Sequence, residues 1–170
     1  MLLDCGKCTI RNWERGDRDS LLEHANNRQI WRNLGERFPH PYTPSDADAW
    51  LTVLNATDDP THWAIDVDGK AVGGIGFDRG EFEYIRSGRF GYWLGESFWG
   101  RGIMTAAVQA TSDYLLHHTD LVRLEASVFE WNRPSMRVLE KSGFCREGTL
   151  RRSIFKDGEI IDSVMYAKVV

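Results

Sequence analysis

Apolar residues recur along this chain in two patterns, which predict alternating strands and helices. Strands are predicted where apolar residues alternate with polar ones or cluster in aromatic and β-branched runs. These segments are 9–13, 62–67, 70–77, 86–94, 121–129, 144–150 with 153–155, and 161–169. Helices are predicted where apolar residues recur every three or four positions: from Asp17 or Asp19 to about 28, from a cap at Ser45 to 54, 101–118 and 133–142.

Turn residues separate these elements. Asp68-Gly69 predicts a hairpin turn, and Asp157-Gly158 leads into the last strand. Gly143 is placed to end the last helix. The aromatic and proline-bearing segment 26–43 predicts a structured loop with one helical turn. Because no repeat, linker or low-complexity tract interrupts the pattern, residues 1–170 are predicted to form a single domain.

The stretch from Phe90 to Thr105 predicts a buried strand, a glycine-bearing loop and the start of a long helix. Gly100-Arg101-Gly102 lets backbone approach a ligand closely, because glycine has no Cβ. Backbone N–H groups at a helix start attract anions, so a phosphate or pyrophosphate is predicted on 100–105. The loop matches neither the Walker pattern nor the dinucleotide fingerprint. A purely structural turn remains the alternative.

A second segment, Asn132-Arg-Pro-Ser-Met-Arg-Val-Leu-Glu-Lys-Ser-Gly-Phe144, follows at a distinctive spacing. Together the two segments resemble the Gcn5-related N-acetyltransferase (GNAT) superfamily. Within it, the likeness is greatest to the branch that acetylates the N-termini of ribosomal proteins, and it covers 9–168. The element order β-α-α-β-β-β-α-β-α-β-β is that of this family. The resemblance implies an α+β fold, with a twisted mixed sheet of six to seven strands and helices on both faces.

The resemblance also implies acetyl-CoA as the cofactor, entering where the central strands separate. Backbone groups of Tyr92 and Leu94 would pair with the pantetheine amides. Two positions depart from the family pattern: Trp99 stands where glutamine or arginine is usual, and Met104 where glycine or alanine is usual. The implied cofactor-binding residues are Tyr92, Trp93, Leu94, Trp99, Gly100, Arg101, Gly102, Ile103, Met104, Thr105, Asn132 and Ser135.

Transfer of an acetyl group to an amine needs a neutral amine, a polarised thioester carbonyl and a proton for the leaving thiolate. By analogy, the Leu94 N–H polarises the carbonyl and Ser135 contacts the leaving sulfur, although Ser135 also suits the first turn of a helix. Relatives often carry a glutamate where this chain has Arg89. Glu125, in a mostly buried strand, is the candidate base. Its alternative role is an ion pair with a nearby arginine.

Without a strong base, an α-amine is the favoured acceptor. Its unperturbed pKa of about 8 leaves roughly a tenth neutral at pH 7, whereas a lysine amine near 10.4 leaves under a thousandth. Trp31, Tyr42 and Glu83 are the candidate acceptor-binding residues. The protein N-terminus is therefore the first acceptor hypothesis. Small amines such as polyamines, aminoglycosides or amino acids are the second, and a non-catalytic acyl-CoA-binding module is the third.

Composition and charge limit the classes of molecule that this chain is expected to bind. A formal net charge of −4 argues against nucleic acid, because phosphate backbones bind basic surfaces. No apolar run reaches the roughly 20 residues that span a bilayer, and no signal-peptide pattern is present, so a cytoplasmic location without membrane contact is expected. Cys5 and Cys8 have Cys-x-x-Cys spacing but lack a second ligand pair, so no metal is expected. Monomer and homodimer both remain open.

Overall fold

The computed structural model describes all residues from 1 to 170. The helices are α1 (Arg18–Ala25), α2 (Arg28–Trp31), α3 (Pro44–Asn55), α4 (Ile103–His118) and α5 (Arg133–Lys141). The strands are β1 (Leu2–Asp4), β2 (Thr9–Arg11), β3 (His62–Val67), β4 (Lys70–Arg79), β5 (Ser87–Leu94), β6 (Arg123–Phe129), β7 (Cys145–Lys156) and β8 (Glu159–Val169). No helix is both long and apolar enough to cross a membrane.

The strands form one sheet in the order β1-β2-β3-β4-β5-β6-β8-β7. β5 pairs with β6 in parallel, whereas β6 with β8 and β7 with β8 are antiparallel, so the sheet is mixed. This confirms the predicted fold class. The sheet has eight strands instead of six or seven, because the sequence analysis missed β1. Three residues are too short a segment for an alternating pattern to stand out.

Two helix boundaries differ from the predictions. α3 is capped by Thr43 and not by Ser45, because Pro44 supplies the first helical position and needs no N–H partner. α1 ends at Ala25 and not near 28. The reason is that the Asn27 side chain accepts hydrogen bonds from two backbone N–H groups and thereby starts α2.

The first compact unit contains Met1–Gly76 and Tyr92–Ala107. In this unit Arg11 donates to two buried carboxylates, Asp17 and Asp66, each at 2.8 Å. The guanidinium therefore compensates charges that would be costly to bury alone. The core of the unit comprises Trp13, Leu21, Ala25, Tyr42, Ala47, Leu51, Leu54, Ala64 and Ala71.

The second compact unit contains Phe77–Gly91 and Val108–Val170. Its strands β6, β8 and β7 pair along most of their lengths. The Lys168 ammonium ties β8 to α4, because it donates to the Asp113 carboxylate at 2.6 Å and to the Ser112 hydroxyl at 3.0 Å. Tyr166, on the same strand, donates to Glu140 of α5 at 3.1 Å. β4, β5 and α4 contribute residues to both units. That residues 1–170 form a single domain stays a prediction.

Replacing Thr43 with alanine should destabilise the protein by about 1 kcal/mol. The Thr43 hydroxyl accepts from the Asp46 N–H at 3.3 Å, and the Asp46 carboxylate accepts from the Thr43 N–H at 2.7 Å, so the change breaks a reciprocal cap. Urea unfolding measures the loss. Thr52→Ala is the control, because that exposed hydroxyl bonds only a carbonyl within α3. Equal losses in both variants would contradict the capping role.

Candidate active site

The end of β5 extends beyond its pairing with β6. The Gly95 N–H donates to the Val72 carbonyl of β4 at 2.8 Å. Since backbone groups of successive strand residues point to opposite edges, those of Leu94 and Tyr92 point away from β4. The pairing of β5 with β6 stops at Arg89 and Glu125, although β5 continues to Leu94. The residues predicted to bind the pantetheine arm thus lie on the part of β5 beyond its pairing with β6.

Glycines in β4 allow β5 to lie this close. A Cβ placed on Gly73 would collide with the backbone carbonyl of Trp93, and one on Gly74 would lie 2.7 Å from the Trp93 indole nitrogen. Neither contact can relax by rotating a side chain end, because one is backbone and the other is a packed ring. The Trp93 ring also packs edge-on against Phe38. Trp93 thus fixes β5 through its packing within the first unit.

The predicted phosphate loop precedes α4 as expected. Gly100 and Gly102 have φ values of +75° and +76°, a region that side chains disfavour. α4 begins at Ile103, and the Ala106 N–H is bonded back to the Gly102 carbonyl. The Ile103 and Met104 N–H groups lie in the first turn, where a helix supplies no acceptor of its own. These groups fit an anion such as a pyrophosphate.

Three contacts hold this loop in place. The Trp99 indole N–H donates to the Leu94 carbonyl at 2.7 Å, which closes the segment between β5 and the loop. The Arg101 guanidinium lies over the Phe98 ring at 5.2 Å. The Lys7 ammonium donates to the Arg101 carbonyl at 2.9 Å. Sequence reasoning missed Lys7, because it lies 94 positions away and no local pattern marks it.

The acceptor candidates Trp31 and Tyr42 lie in the first unit. Trp31 stacks on His40 at 5.6 Å and lies at the end of α2. Tyr42 is only 6% exposed and packs with Phe38 in the core. Burial, followed by the nearby Asp46 charge, raises the pKa of Tyr42 to about 12, so its hydroxyl stays protonated at neutral pH. These contacts give Tyr42 a packing role.

The second unit holds Asn132, Ser135 and Glu83. The Asn132 side chain accepts from the Ser135 N–H at 3.3 Å and so caps α5. Ser135 is half-buried in the first turn, directly after Pro134. Glu83 lies on an exposed 3₁₀ turn between β4 and β5. Capping fixes the backbone from which the Ser135 hydroxyl projects.

Glu125 takes part in an ion-pair network on β6. Arg123 donates to Glu125 at 3.1 Å and to Glu147 of β7 at 2.8 Å. The neighbouring guanidinium lowers the pKa of Glu147 below its usual value. The pairing of Glu125 with an arginine is the arrangement that the sequence analysis set against a role as base. Arg89 lies opposite Glu125 in the β5–β6 register.

Gly73→Ala should destabilise the protein by about 1 to 3 kcal/mol, because its methyl group would push against the backbone of β5. Urea unfolding measures the change. Gly91→Ala is the control on β5 itself, since a Cβ there meets no atom within 4 Å. A Gly73 variant as stable as the Gly91 variant would show that the close approach of the strands is not required.

Comparison with known proteins places these features in a family. A family model, the acetyltransferase (GNAT) domain, matches residues 7–145. Probable N-acetyltransferase YjcK of Bacillus subtilis (strain 168) is 43% identical over 74 residues, which are 44% of this chain and 41% of YjcK. The ribosomal-protein-serine acetyltransferase of Escherichia coli (strain K12) is 31% identical over 101 residues, 59% of this chain and 56% of that protein. The chain thus aligns with less than two thirds of either relative.

A solved structure extends the likeness over nearly all of the chain. Mycobacterium smegmatis RimJ, solved in complex with CoA-disulfide, matches with a TM-score of 0.82 and 26% sequence identity. The match covers 95% of this chain and 81% of RimJ. The family model spans both the loop before α4 and the cap of α5, which are the two features that the sequence singled out. The chain belongs to the GNAT family of acetyltransferases.

Proposed function

We propose that this N-acetyltransferase transfers the acetyl group of acetyl-CoA to the α-amine at the N-terminus of a protein, such as a ribosomal protein. The E. coli relative acts, by its name, on a ribosomal protein. The observation that carries the α-amine preference is the Arg123–Glu125 ion pair. In this pair the Glu125 carboxylate, which the sequence suggests as general base, is bonded to Arg123.

The donor side of the proposal depends on the loop before α4. Acetyl-CoA supplies the acetyl group as a thioester, and its pyrophosphate carries the negative charge that first-turn N–H groups attract. The space beside Gly100 is open, because a Cβ there would have no neighbour within 4 Å. A phosphate can therefore approach the backbone at this point without displacing a side chain.

Two groups of this chain act on the reacting atoms in the proposed mechanism. The Leu94 N–H, which points away from β4, donates to the thioester carbonyl oxygen and stabilises the charge that develops there. The Ser135 hydroxyl donates to the sulfur as the C–S bond breaks and the new N–C bond forms. The proton lost by the amine passes to solvent, and the departing thiolate is stabilised by the hydroxyl.

The acceptor must reach the enzyme as a neutral amine. An α-amine with a pKa of about 8 is partly neutral at pH 7, so solvent suffices as the proton acceptor. A lysine side chain, with a pKa near 10.4, would need a dedicated base to be deprotonated at a useful rate. Because Glu125 already accepts from Arg123, the chemistry of this chain suits the first acceptor better.

Acetyl-CoA should be consumed with short peptides that carry a free N-terminus, and not with polyamines, aminoglycosides or α-blocked peptides that contain lysine. Thiol release measures turnover in each pool separately. Turnover with a small amine alone would show that the protein is an acetyltransferase whose acceptor is a small amine and not a protein N-terminus. Acetyl-CoA binding without turnover in any pool would favour a non-catalytic module.

Ser135→Ala should lower kcat at least tenfold while acetyl-CoA binding changes little, because the lost hydroxyl contacts the sulfur mainly as the thiolate forms. Ser45→Ala is a matched control. Ser45 also directly follows a proline in the first turn of a helix, so it controls for the loss of a serine hydroxyl near a helix start. Equal kcat values in the two variants would remove Ser135 from the mechanism.

The pH profile reports whether the enzyme supplies a base. We expect kcat/KM for a peptide to rise with pH and to level off near pH 8, because the neutral fraction of its α-amine rises through that pKa. Glu125→Gln should leave the shape of the profile unchanged. An additional acidic dependence of kcat/KM that disappears in Glu125→Gln would instead identify Glu125 as the base.

A further inference from the structure

We propose that Lys7, in the turn between β1 and β2, is a phosphate ligand of the acetyl-CoA site. It would extend the anion site beyond the backbone N–H groups at the start of α4. The inference rests on acetyl-CoA as the donor and adds a charged side chain that lies far from the loop in sequence. Three observations carry it: the geometry of the turn, the space at Gly102 and the lack of a competing carboxylate.

The hairpin turn between β1 and β2 holds the backbone of Lys7 in a defined conformation. β1 and β2 pair in register up to Asp4 and Thr9, and the Cys5 N–H donates to the Cys8 carbonyl at 2.9 Å. Gly6 has a φ of +72°, and its N–H donates to the Asp4 carboxylate at 2.7 Å. The turn is thus closed on both sides of Lys7, so its side chain leaves a fixed backbone.

The loop before α4 is shaped to receive the Lys7 ammonium. The ammonium lies 2.9 Å from the Arg101 carbonyl oxygen. A Cβ on Gly102 would come within 2.9 Å of the same nitrogen and would crowd it. Glycine here leaves the ammonium unhindered, although the flexible lysine side chain could also move aside from a Cβ. That cation lies beside the backbone that precedes the first turn of α4.

The charge on Lys7 is not neutralised by the protein. Its one hydrogen bond goes to an uncharged carbonyl, and no carboxylate forms an ion pair with it. An ammonium has three donors, so two remain for other partners. Arg101, a cation within the loop itself, lies over the Phe98 ring and also has no carboxylate partner. Two uncompensated cations beside helix N–H groups match an anion with several negative charges.

A purely structural role for Lys7 would be to hold the loop through the Arg101 carbonyl. That role needs a hydrogen-bond donor but no charge, whereas binding a phosphate needs the charge. Lys7→Gln keeps a donor and removes the charge, and Lys7→Arg keeps the charge. The control is Lys70→Gln, because Lys70 is an exposed lysine at the start of β4.

The experiment measures dissociation constants by calorimetry for CoA, dephospho-CoA and pantetheine with the whole chain. Lys7→Gln should weaken CoA binding about three- to tenfold at low salt, and Lys7→Arg should restore most of it. The loss should shrink in 1 M salt, because the screening length falls from about 10 Å at 0.1 M to about 3 Å. Pantetheine binding, without pyrophosphate, should not change.

The three ligands distinguish the possible contacts. A loss that persists with dephospho-CoA assigns Lys7 to the pyrophosphate, and a loss confined to CoA assigns it to the 3′-phosphate. CoA binding that is unchanged in Lys7→Gln overturns the proposal, as does an equal loss in Lys70→Gln or with pantetheine. If the unchanged protein did not bind CoA, the failure would lie with the donor site itself and not with Lys7.

Discussion

The close approach of β5 to β4 is the constraint on which the first unit depends. β5 can lie where it does only because Gly73 presents no side chain to the Trp93 carbonyl. The approach lets the Gly95 N–H bond to Val72, and this bond sets which edge of β5 carries the Leu94 backbone groups. A small residue on one strand thus determines the chemistry available on its neighbour.

The same constraint extends to the phosphate loop. The Leu94 carbonyl accepts from the Trp99 indole, so the position of β5 fixes the start of the loop. By the family resemblance, glutamine or arginine is expected at this position, and here the tryptophan indole supplies the donor. Lys7, near the N-terminus, adds a contact to the Arg101 carbonyl of the loop.

Side-chain ion pairs and hydrogen bonds join the strands and helices of the second unit. Arg123 joins Glu125 on its own strand and Glu147 on β7, while Lys168 and Tyr166 attach β8 to two helices. These contacts hold α5, whose cap fixes the backbone of Ser135. They also pair Glu125, the candidate base of the sequence analysis, with an arginine. An acceptor that is partly neutral at pH 7 is consistent with such an arrangement.

The sequence by itself determined the features that depend on neighbouring residues. The Asp68-Gly69 hairpin, the glycine loop before α4 and the Asn132 cap all follow from local conformational preferences and short-range hydrogen bonds. Only the tertiary structure decided that Lys7 contacts the Arg101 carbonyl. That partner is set by how the first hairpin packs on the loop before α4, and no local propensity specifies a contact across 94 positions.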